Sequence, residues 1–309
     1  MSTPETVMAR TPAALRADRI TYGAVHLDVT DLERARAFWR EAVGLAELSS
    51  DAEGVRLGVA GRALVVLHGG GARAAANGYA GLYHLAIHVP DEVEFARVLT
   101  RLAHHRVPQS PTDHIFSKAT YVRDPDGIML ELTLETPERF SSMEITRQAV
   151  VIYDSDGRVR GASGPLDFAE AVAPLAGGTP EAPLPANAYV GHVHLHVPDL
   201  RAAYDFYRDV VGFSEHAYMT AIGMADLSAG GRFPHRIAIN DWQGRGARQR
   251  PPGVAGMRHF ELLVGGGEEL DALAERAQAA GAGAARAGDG ALSLADPAGN
   301  TIVVRSASA

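Results

Sequence analysis

Histidines at alternating positions are the residues of this chain that could do chemistry. The 309 residues include thirteen histidines and no cysteine. His192, His194 and His196 alternate with aliphatic residues in one segment, and His84 and His88 do so in another. Residues two apart on a strand share a face, so each segment should have an imidazole face and an aliphatic face. Buried polar groups without partners cost about 1–3 kcal/mol each, so we expect the imidazole faces to line a polar site.

Composition narrows the chemistry further. The absence of cysteine excludes disulfides, thiolate zinc sites and cysteine nucleophiles, so any metal must be held by imidazole and carboxylate. It also fits a cytoplasmic location. A net charge of −8 without a basic cluster argues against nucleic acid as a partner. No apolar stretch reaches roughly 18 residues, which argues against a membrane span, and residues 1–19 lack the apolar block of a secretory signal.

The chain repeats itself. Tyr22–Leu32 returns as Val190–Leu200, and both segments alternate apolar and polar residues before changing to a helical period. Each repeat therefore predicts a strand followed by a helix. An aspartate is placed to cap the start of each helix, Asp31 in the first repeat and Asp199 in the second. A glycine is placed to end each helix, Gly44 in the first repeat and Gly212 in the second.

Fainter copies at Gly81–Val89 and Gly256–Val264 complete four modules, which we number one to four in chain order. Each fainter copy later reaches a Pro- and Gly-containing turn, Asp124–Gly127 or Asp296–Gly299, before a terminal strand. We predict the following organisation: an N-terminal arm at 1–19, a first domain of modules one and two at 20–136, a connector at 137–186, and a second domain of modules three and four at 187–309. Within the connector, a hairpin strand is predicted at 149–153 and a short helix at 166–175.

These motifs resemble the vicinal-oxygen-chelate superfamily, and within it the type I extradiol dioxygenases of the bacterial catechol 2,3-dioxygenase kind. The resemblance covers about Tyr22 to Val304. It implies an α+β fold in which four βαβββ modules form two vicinal-oxygen-chelate domains, with curved mixed sheets around a metal cup.

The resemblance also implies a ligand set. Metalloenzymes of the family use first-strand ligands from two modules and a glutamate on a last strand. The first-strand position falls on Ala24, His84, His192 and His259 in modules one to four, and the carboxylate position falls on Glu131 in module two and Val303 in module four. Only modules two and three together supply a full set. We therefore predict that these modules pair and that His84, Glu131 and His192 bind the metal.

Two histidines and one carboxylate are the ligand set of non-haem Fe(II) oxygenases. The predicted cofactor is Fe(II), with Mn(II) as the alternative, and the predicted activity is extradiol cleavage of catechol or a substituted catechol by dioxygen. By resemblance, His235 is the acid–base residue, while Tyr121 and His114 orient the substrate. An imidazole that titrates near neutrality suits proton transfer.

Several alternatives stay open at this stage. His26 is the rival third ligand and would give a site inside the first half, whereas His259 is read as a structural copy and Trp242 as a candidate wall of the pocket. Modules two and three could pair within one chain or between the chains of a homo-oligomer. The rival functions are a glyoxalase-like metal-dependent isomerase or epimerase and a non-catalytic aromatic- or drug-binding resistance protein.

Overall fold

A computed structural model describes residues 7–10 and 17–307 of the chain. The rest of the predicted N-terminal arm lies outside the described residues. Within that arm, Val7–Arg10 forms a strand that pairs with a strand of the connector. In the part of the chain that the structure describes, no helix is long and apolar enough to cross a membrane.

The first half of the chain contains modules one and two. Its elements are β1 (Val7–Arg10), β2 (Ile20–Asp28), α1 (Leu32–Ala37), β3 (Ala46–Asp51), β4 (Gly54–Val59), β5 (Arg62–His68), β6 (Tyr79–Val89), α2 (Glu92–His104), β7 (Ser110–Asp113), β8 (Ser117–Arg123) and β9 (Met129–Glu135). A π-helical turn at Phe38–Ala42 extends α1.

The predicted connector has its own structure. Its elements are a 3-10 turn (Pro137–Arg139), β10 (Phe140–Ile145), β11 (Val150–Asp154), β12 (Val159–Arg160), β13 (Gly164–Pro165), α3 (Phe168–Val172) and a second 3-10 turn (Ala173–Leu175). The strand β11 pairs with both β10 and β12, which confirms the predicted hairpin strand. The predicted short helix is also present.

The second half contains modules three and four. Its elements are β14 (Tyr189–His196), α4 (Leu200–Asp205), a π-helical turn (Phe206–Val211), β15 (Ser214–Met219), a 3-10 turn (Thr220–Ile222), β16 (Met224–Ser228), β17 (Ile237–Asn240), β18 (Arg248–Gln249), β19 (Gly256–Val264), α5 (Gly267–Ala279), β20 (Ala285–Arg286), β21 (Leu292–Ala295) and β22 (Thr301–Ser306).

The predicted helix boundaries are present. The Asp31 side chain accepts a hydrogen bond from the backbone N–H of Arg34, and that of Asp199 accepts from the backbone N–H groups of the first turn of α4. Gly44 and Gly212 follow the two helical segments with φ of 90° and 101°, a left-handed conformation that glycine adopts without a Cβ penalty.

Two mixed sheets carry the modules. Sheet I has the strand order β13-β7-β8-β9-β6-β14-β17-β16-β15, with β18 beside β6, and thus joins modules two and three. Sheet II has the order β20-β21-β22-β19-β2-β5-β4-β3 and joins modules four and one. The halves 20–136 and 187–309 therefore contribute one module each to each sheet. The pairing of modules two and three occurs within a single chain.

The aliphatic faces of these strands form the core, as the alternation predicts. Leu85 and Ile87 of β6 and Val193 and Leu195 of β14 are fully buried in one hydrophobic cluster with the helices. Because side chains alternate along a strand, packing these residues inward turns the histidines of β6 and β14 to the opposite face of sheet I.

Candidate metal centre

The register of sheet I places three predicted ligands around one alanine. Ala86 of β6 pairs with Glu131 of β9 on one side and with His192 of β14 on the other. His84 precedes Ala86 by two residues and shares its face. Because the methyl group of Ala86 is small, it leaves a gap on this face of the sheet between the carboxylate of Glu131 and the imidazole of His192. The sequence thus brings together residues from opposite halves of the chain.

The ligand atoms of this cluster lie close together. Oε2 of Glu131 is 2.9 Å from Nε2 of His84 and 2.9 Å from Nε2 of His192, and the two Nε2 atoms are 3.1 Å apart. Ligands bound at right angles at about 2.1 Å from an ion are about 3.0 Å from each other. The three side chains therefore fit a single divalent ion.

Burial sets the protonation states that ligands need. Burial lowers the pKa of His84 and holds that of His192 well below its usual range, so both imidazoles are neutral. Burial alone would raise the pKa of Glu131, but the neighbouring His192 and His84 hold that pKa well below its usual range. Neutral imidazole and ionised carboxylate are the forms that bind a metal.

A cavity of about 420 Å³ opens beside this cluster. This volume is in the range of pockets that hold a small organic ligand. Its lining includes His84, Glu131 and His192, and much of the remaining wall is apolar or aromatic: Phe116, Met143, Ile152, Met219 and Trp242. An aromatic ring of modest size would fit against the three predicted ligands.

Tyr121 and His114 form a directed pair on this cavity. The Ala162 carbonyl can only accept, so Nδ1 of His114, 2.9 Å away, carries the proton. Nε2 of His114 then accepts the hydroxyl proton of Tyr121 across 2.9 Å. The lone pairs of the Tyr121 oxygen remain able to accept a hydrogen bond. Burial, followed by the charge of Glu131, raises the pKa of Tyr121 well above its usual range, so the hydroxyl stays neutral.

His235 lies on the opposite wall and is oriented by a carboxylate. Its ring is 4.7 Å from that of His192 between centroids. Nδ1 of His235 donates to Oδ2 of Asp226 across 2.9 Å, and Nδ1 of His216 donates to Oδ1 of Asp226 across 2.8 Å. Although burial would raise the pKa of Asp226, the two imidazoles hold it far below its usual range. Because Nδ1 of His235 is taken up by Asp226, Nε2 is the ring nitrogen through which His235 can exchange a proton.

The rival ligand His26 is placed elsewhere, and the alternative that assigns it to the same site is wrong. His26 lies on β2 in sheet II, where it pairs with His259 in register. Its Nδ1 is 2.9 Å from Nε2 of His68, and its ring stacks on His259 at 3.9 Å between centroids. The pairing of module one with module four removes it from the sheet that holds His84.

Sequence reasoning missed three parts of this site. The connector supplies cavity wall through Met143, Ile152 and Ala162, although its glycine and proline content suggested a simple linker. Asp226 was overlooked, but a carboxylate between Ala225 and Leu227 is the same kind of signal that singled out Glu131. His88, for which the sequence suggested no role, hydrogen-bonds His192.

Comparisons with known proteins agree with this architecture. The family model described as Glyoxalase/Bleomycin resistance protein/Dioxygenase superfamily matches residues 21–132 and 189–304. A protein named catechol-2,3-dioxygenase from Bacillus subtilis (strain 168) is 31% identical over 262 residues, which cover 84% of this chain and 88% of that protein.

Solved structures show the same fold. A Bacillus subtilis structure titled as a dioxygenase has a TM-score of 0.61 at 14% identity, covering 94% of this chain and 86% of its own. Glyoxalase I from Zea mays has a TM-score of 0.55 at 16% identity, covering 93% and 92%. From the family match over both halves and the catechol-2,3-dioxygenase relative, the chain belongs to the glyoxalase/bleomycin resistance protein/dioxygenase superfamily, also called the vicinal-oxygen-chelate superfamily.

Proposed function

We propose that this protein is an Fe(II)-dependent extradiol dioxygenase that cleaves the ring of catechol or a substituted catechol. The observation that carries the proposal is the cluster of His84, Glu131 and His192, whose ligand atoms lie 2.9–3.1 Å apart beside a largely apolar cavity. The relative named catechol-2,3-dioxygenase supports the same activity. The partners would be a catecholic small molecule and dioxygen, and cytoplasmic location and homo-oligomerisation stay predictions from the sequence.

His84, Glu131 and His192 would hold the ion. Two imidazoles and one carboxylate favour Fe(II), with Mn(II) as the alternative. When bound, the ion would lower the pKa of the catechol hydroxyls and supply the redox chemistry that a reaction with dioxygen requires. The remaining work falls to side chains of the cavity.

His235 and Tyr121 are placed to handle the substrate protons. The free Nε2 of His235 can accept a proton from one catechol hydroxyl and return it later, because Asp226 holds the Nδ1–H form of the ring. The Tyr121 oxygen can accept a hydrogen bond from the second hydroxyl, because its own proton is directed to His114. The two groups thereby orient the diol edge of the ring.

The apolar part of the cavity wall favours an aromatic substrate, which would displace water from the cavity when it binds. Phe116 and Trp242 offer ring faces and edges, while Met143 and Met219 fill the space between them with flexible apolar side chains. Removing water from the site strengthens the hydrogen bonds of the diol to its partners.

The rival enzyme class needs a free carboxylate as base. Besides Glu131, the carboxylate that lines the cavity is Asp226, and both of its oxygens accept hydrogen bonds from imidazoles. Asp226 is therefore better suited to orienting His235 than to acting as the catalytic base of an isomerase or epimerase. A non-catalytic aromatic binder would have no use for three converging ligand atoms.

Metal analysis and oxygen uptake test the proposal. Protein purified without oxygen should contain or take up Fe(II), and it should consume one dioxygen per catechol with formation of a yellow ring-opened product. Binding of another divalent metal with isomerase activity and no oxygen uptake would support the glyoxalase-like alternative. Tight binding of aromatics without any metal would support a sequestering protein; either result overturns the proposal.

A further inference from the structure

His88 connects the predicted ligand His192 to a partly buried carboxylate, that of Glu135. The His88 ring is fully buried behind the metal cluster. Its Nε2 lies 2.9 Å from Nδ1 of His192, and its Nδ1 lies 2.9 Å from Oε1 of Glu135. The three side chains form a continuous hydrogen-bonded line from the metal cluster to the far end of β9.

Fixed donors hold Glu135 in place. Its Oε1 accepts from the Tyr189 hydroxyl across 2.7 Å and from the Arg236 guanidinium across 2.6 Å. Arg236 also pairs with Asp18 at 2.7 Å. Burial would raise the pKa of Glu135, but the hydrogen bond from His88 and the charge of Arg236 lower it far below its usual range. Glu135 is therefore ionised and can only accept hydrogen bonds.

When a metal replaces the 2.9 Å contact between Nε2 of His192 and Oε2 of Glu131, the line holds the proton of His192 on Nδ1. Because Glu135 accepts, Nδ1 of His88 donates, which leaves Nε2 of His88 to accept from His192. Nδ1 of His192 must then be the donor across the 2.9 Å contact. Its Nε2 is left with a lone pair, directed to the point shared with Glu131 and His84. This is the tautomer that binds a metal through Nε2.

Gly191 provides the space that His88 occupies. A Cβ at position 191 would lie 2.2 Å from Cγ and from Cδ2 of the His88 ring, which no packing can accept. Phe233 and Tyr189 border the ring at 5.3 Å and 5.4 Å between centroids. The glycine before the ligand His192 thus allows His88 to pass close over β14.

We propose that His88 and Glu135 are positioning residues that hold His192 in its metal-binding tautomer and orientation; this rests on the function proposed above. Of the two predicted histidine ligands, His192 has such a hydrogen-bond partner behind it and His84 does not, in the part of the chain that the structure describes. Among the described residues, Nδ1 of His84 has no hydrogen-bond partner. Partners behind metal-bound histidines typically contribute a 10- to 100-fold change in affinity, roughly.

The test measures metal affinity instead of turnover. Metal-free protein is titrated without oxygen with Co(II), whose visible absorption reports the ligand geometry. His88→Leu should weaken Co(II) binding about 10- to 100-fold and change the absorption bands. His88→Gln should remain within a few-fold of the wild type, because its carbonyl oxygen can accept the Nδ1–H of His192. Gly191→Ala, which displaces the ring, should behave like His88→Leu.

His68→Leu is the matched control. His68 is a buried histidine that hydrogen-bonds another histidine, His26, but in sheet II. Its removal disturbs a similar contact and should leave Co(II) binding to sheet I unchanged. Thermal unfolding of all variants separates lost support of His192 from lost folding.

A measurement on the unmutated protein completes the test if His88→Leu does not fold. In Zn(II)-loaded protein, nitrogen–proton NMR should show the proton of His192 on Nδ1. A proton on Nε2, or wild-type Co(II) affinity and spectrum in His88→Leu, would overturn the relay. The metal site itself would still stand if His192→Ala had lost Co(II). Failure of the wild type to bind any divalent metal would remove the proposed function, and the relay with it.

Discussion

Sheet I and sheet II are built from modules of the same kind, yet they present different centres. In the repeat alignment His84 and His259 occupy the same position, and Ala86 corresponds to Glu261. In sheet I the small Ala86 is surrounded by His84, Glu131 and His192. In sheet II the central position holds a carboxylate, whereas the flanking positions hold Ala24 and Val303.

The donors around Glu261 already satisfy it. Its Oε2 accepts from the backbone N–H of Ala24 across 3.0 Å, and its Oε1 accepts from Arg305 across 3.3 Å. Nε2 of His26 is 3.8 Å from Oε1 of Glu261, whereas Oε2 of Glu131 is 2.9 Å from Nε2 of both His84 and His192. Stacked rings such as those of His26 and His259 direct their lone pairs side by side instead of to one point.

The difference extends to the surrounding charge. The register position of Asp226 in sheet I, opposite Ala238, corresponds to Arg56 in sheet II, opposite Val66. Burial first, then the neighbouring imidazoles and Arg56, lower the pKa of His26 to about 3. A cation near the histidines disfavours a metal ion. From the comparison we propose that a metal centre on this scaffold needs a small central residue, three ligands around it and an anionic surrounding.

The largest effect on metal affinity is expected from removing a predicted ligand of sheet I, compared with removing a histidine of sheet II. His192→Ala should reduce Fe(II) affinity by more than about 100-fold, beyond the effect of removing a residue behind a ligand, because it deletes a coordinating atom from the cluster. His26→Ala should leave the affinity unchanged. Anaerobic titration with Fe(II) measures both. If His26→Ala abolished binding and His192→Ala did not, the assignment of the metal to sheet I would be wrong.

A second change makes the centre of sheet I resemble the filled centre of sheet II. Ala86→Leu should abolish measurable metal binding, because its side chain occupies the gap between Glu131 and His192. Added bulk in a packed interior costs about 1–3 kcal/mol, so unfolding must be followed by circular dichroism. Ala86→Ser is the control of similar size and should keep the metal. Normal metal content in folded Ala86→Leu would contradict the role given to the gap.

His235 tests the part of the proposed site that would act on the substrate. His235→Gln should reduce kcat about 100- to 10,000-fold, the usual contribution of acid–base catalysis, while metal content stays at the wild-type level. Asp226→Asn should have a smaller effect in the same direction, because it disturbs only the orientation of His235. Steady-state kinetics with catechol, together with metal analysis, measures both. Unchanged kcat in His235→Gln would remove the residue from the proton transfer.

The smallest expected effect is the gain of a second, weak metal site in sheet II. The triple change Ala24→His, Val303→Glu and Glu261→Ala gives sheet II the pattern of sheet I. We expect the metal stoichiometry per chain to rise from one to two, with weaker binding at the new site because Arg56 and Arg305 remain nearby. Metal analysis after dialysis at graded metal concentrations measures this. A stoichiometry that stays at one in folded protein would show that the three positions are insufficient.

The sequence predicted the four modules, the helix caps and the close approach of His84, Glu131 and His192. The modules and the caps follow from local periodicity, which the sequence displays directly, whereas the ligand set is what the resemblance to the vicinal-oxygen-chelate superfamily implies. The position of His26 beside His259 depends on which modules pair, and the spacing of histidines within one strand does not determine that.

Other contacts of the site could not be predicted because they join residues that are far apart in the sequence. The contact of His88 with His192 requires Gly191 to lie beside the His88 ring on the neighbouring strand. The pairing of β6 with β14 contains register irregularities, so the sequence does not show which residues lie opposite each other. The bond from Asp226 to His235 joins a strand to a loop residue. The connector reaches the cavity through Met143 and Ile152 of its own sheet and through Ala162 beside β13, which joins the edge of sheet I.

Anomalous diffraction at the iron edge tests the central claim most directly. Crystals of protein loaded with Fe(II) without oxygen should show one strong peak within bonding distance of Nε2 of His84, Nε2 of His192 and Oε2 of Glu131. A peak beside His26 and His259, or density for a water molecule in place of iron at the cluster on sheet I, would contradict the account.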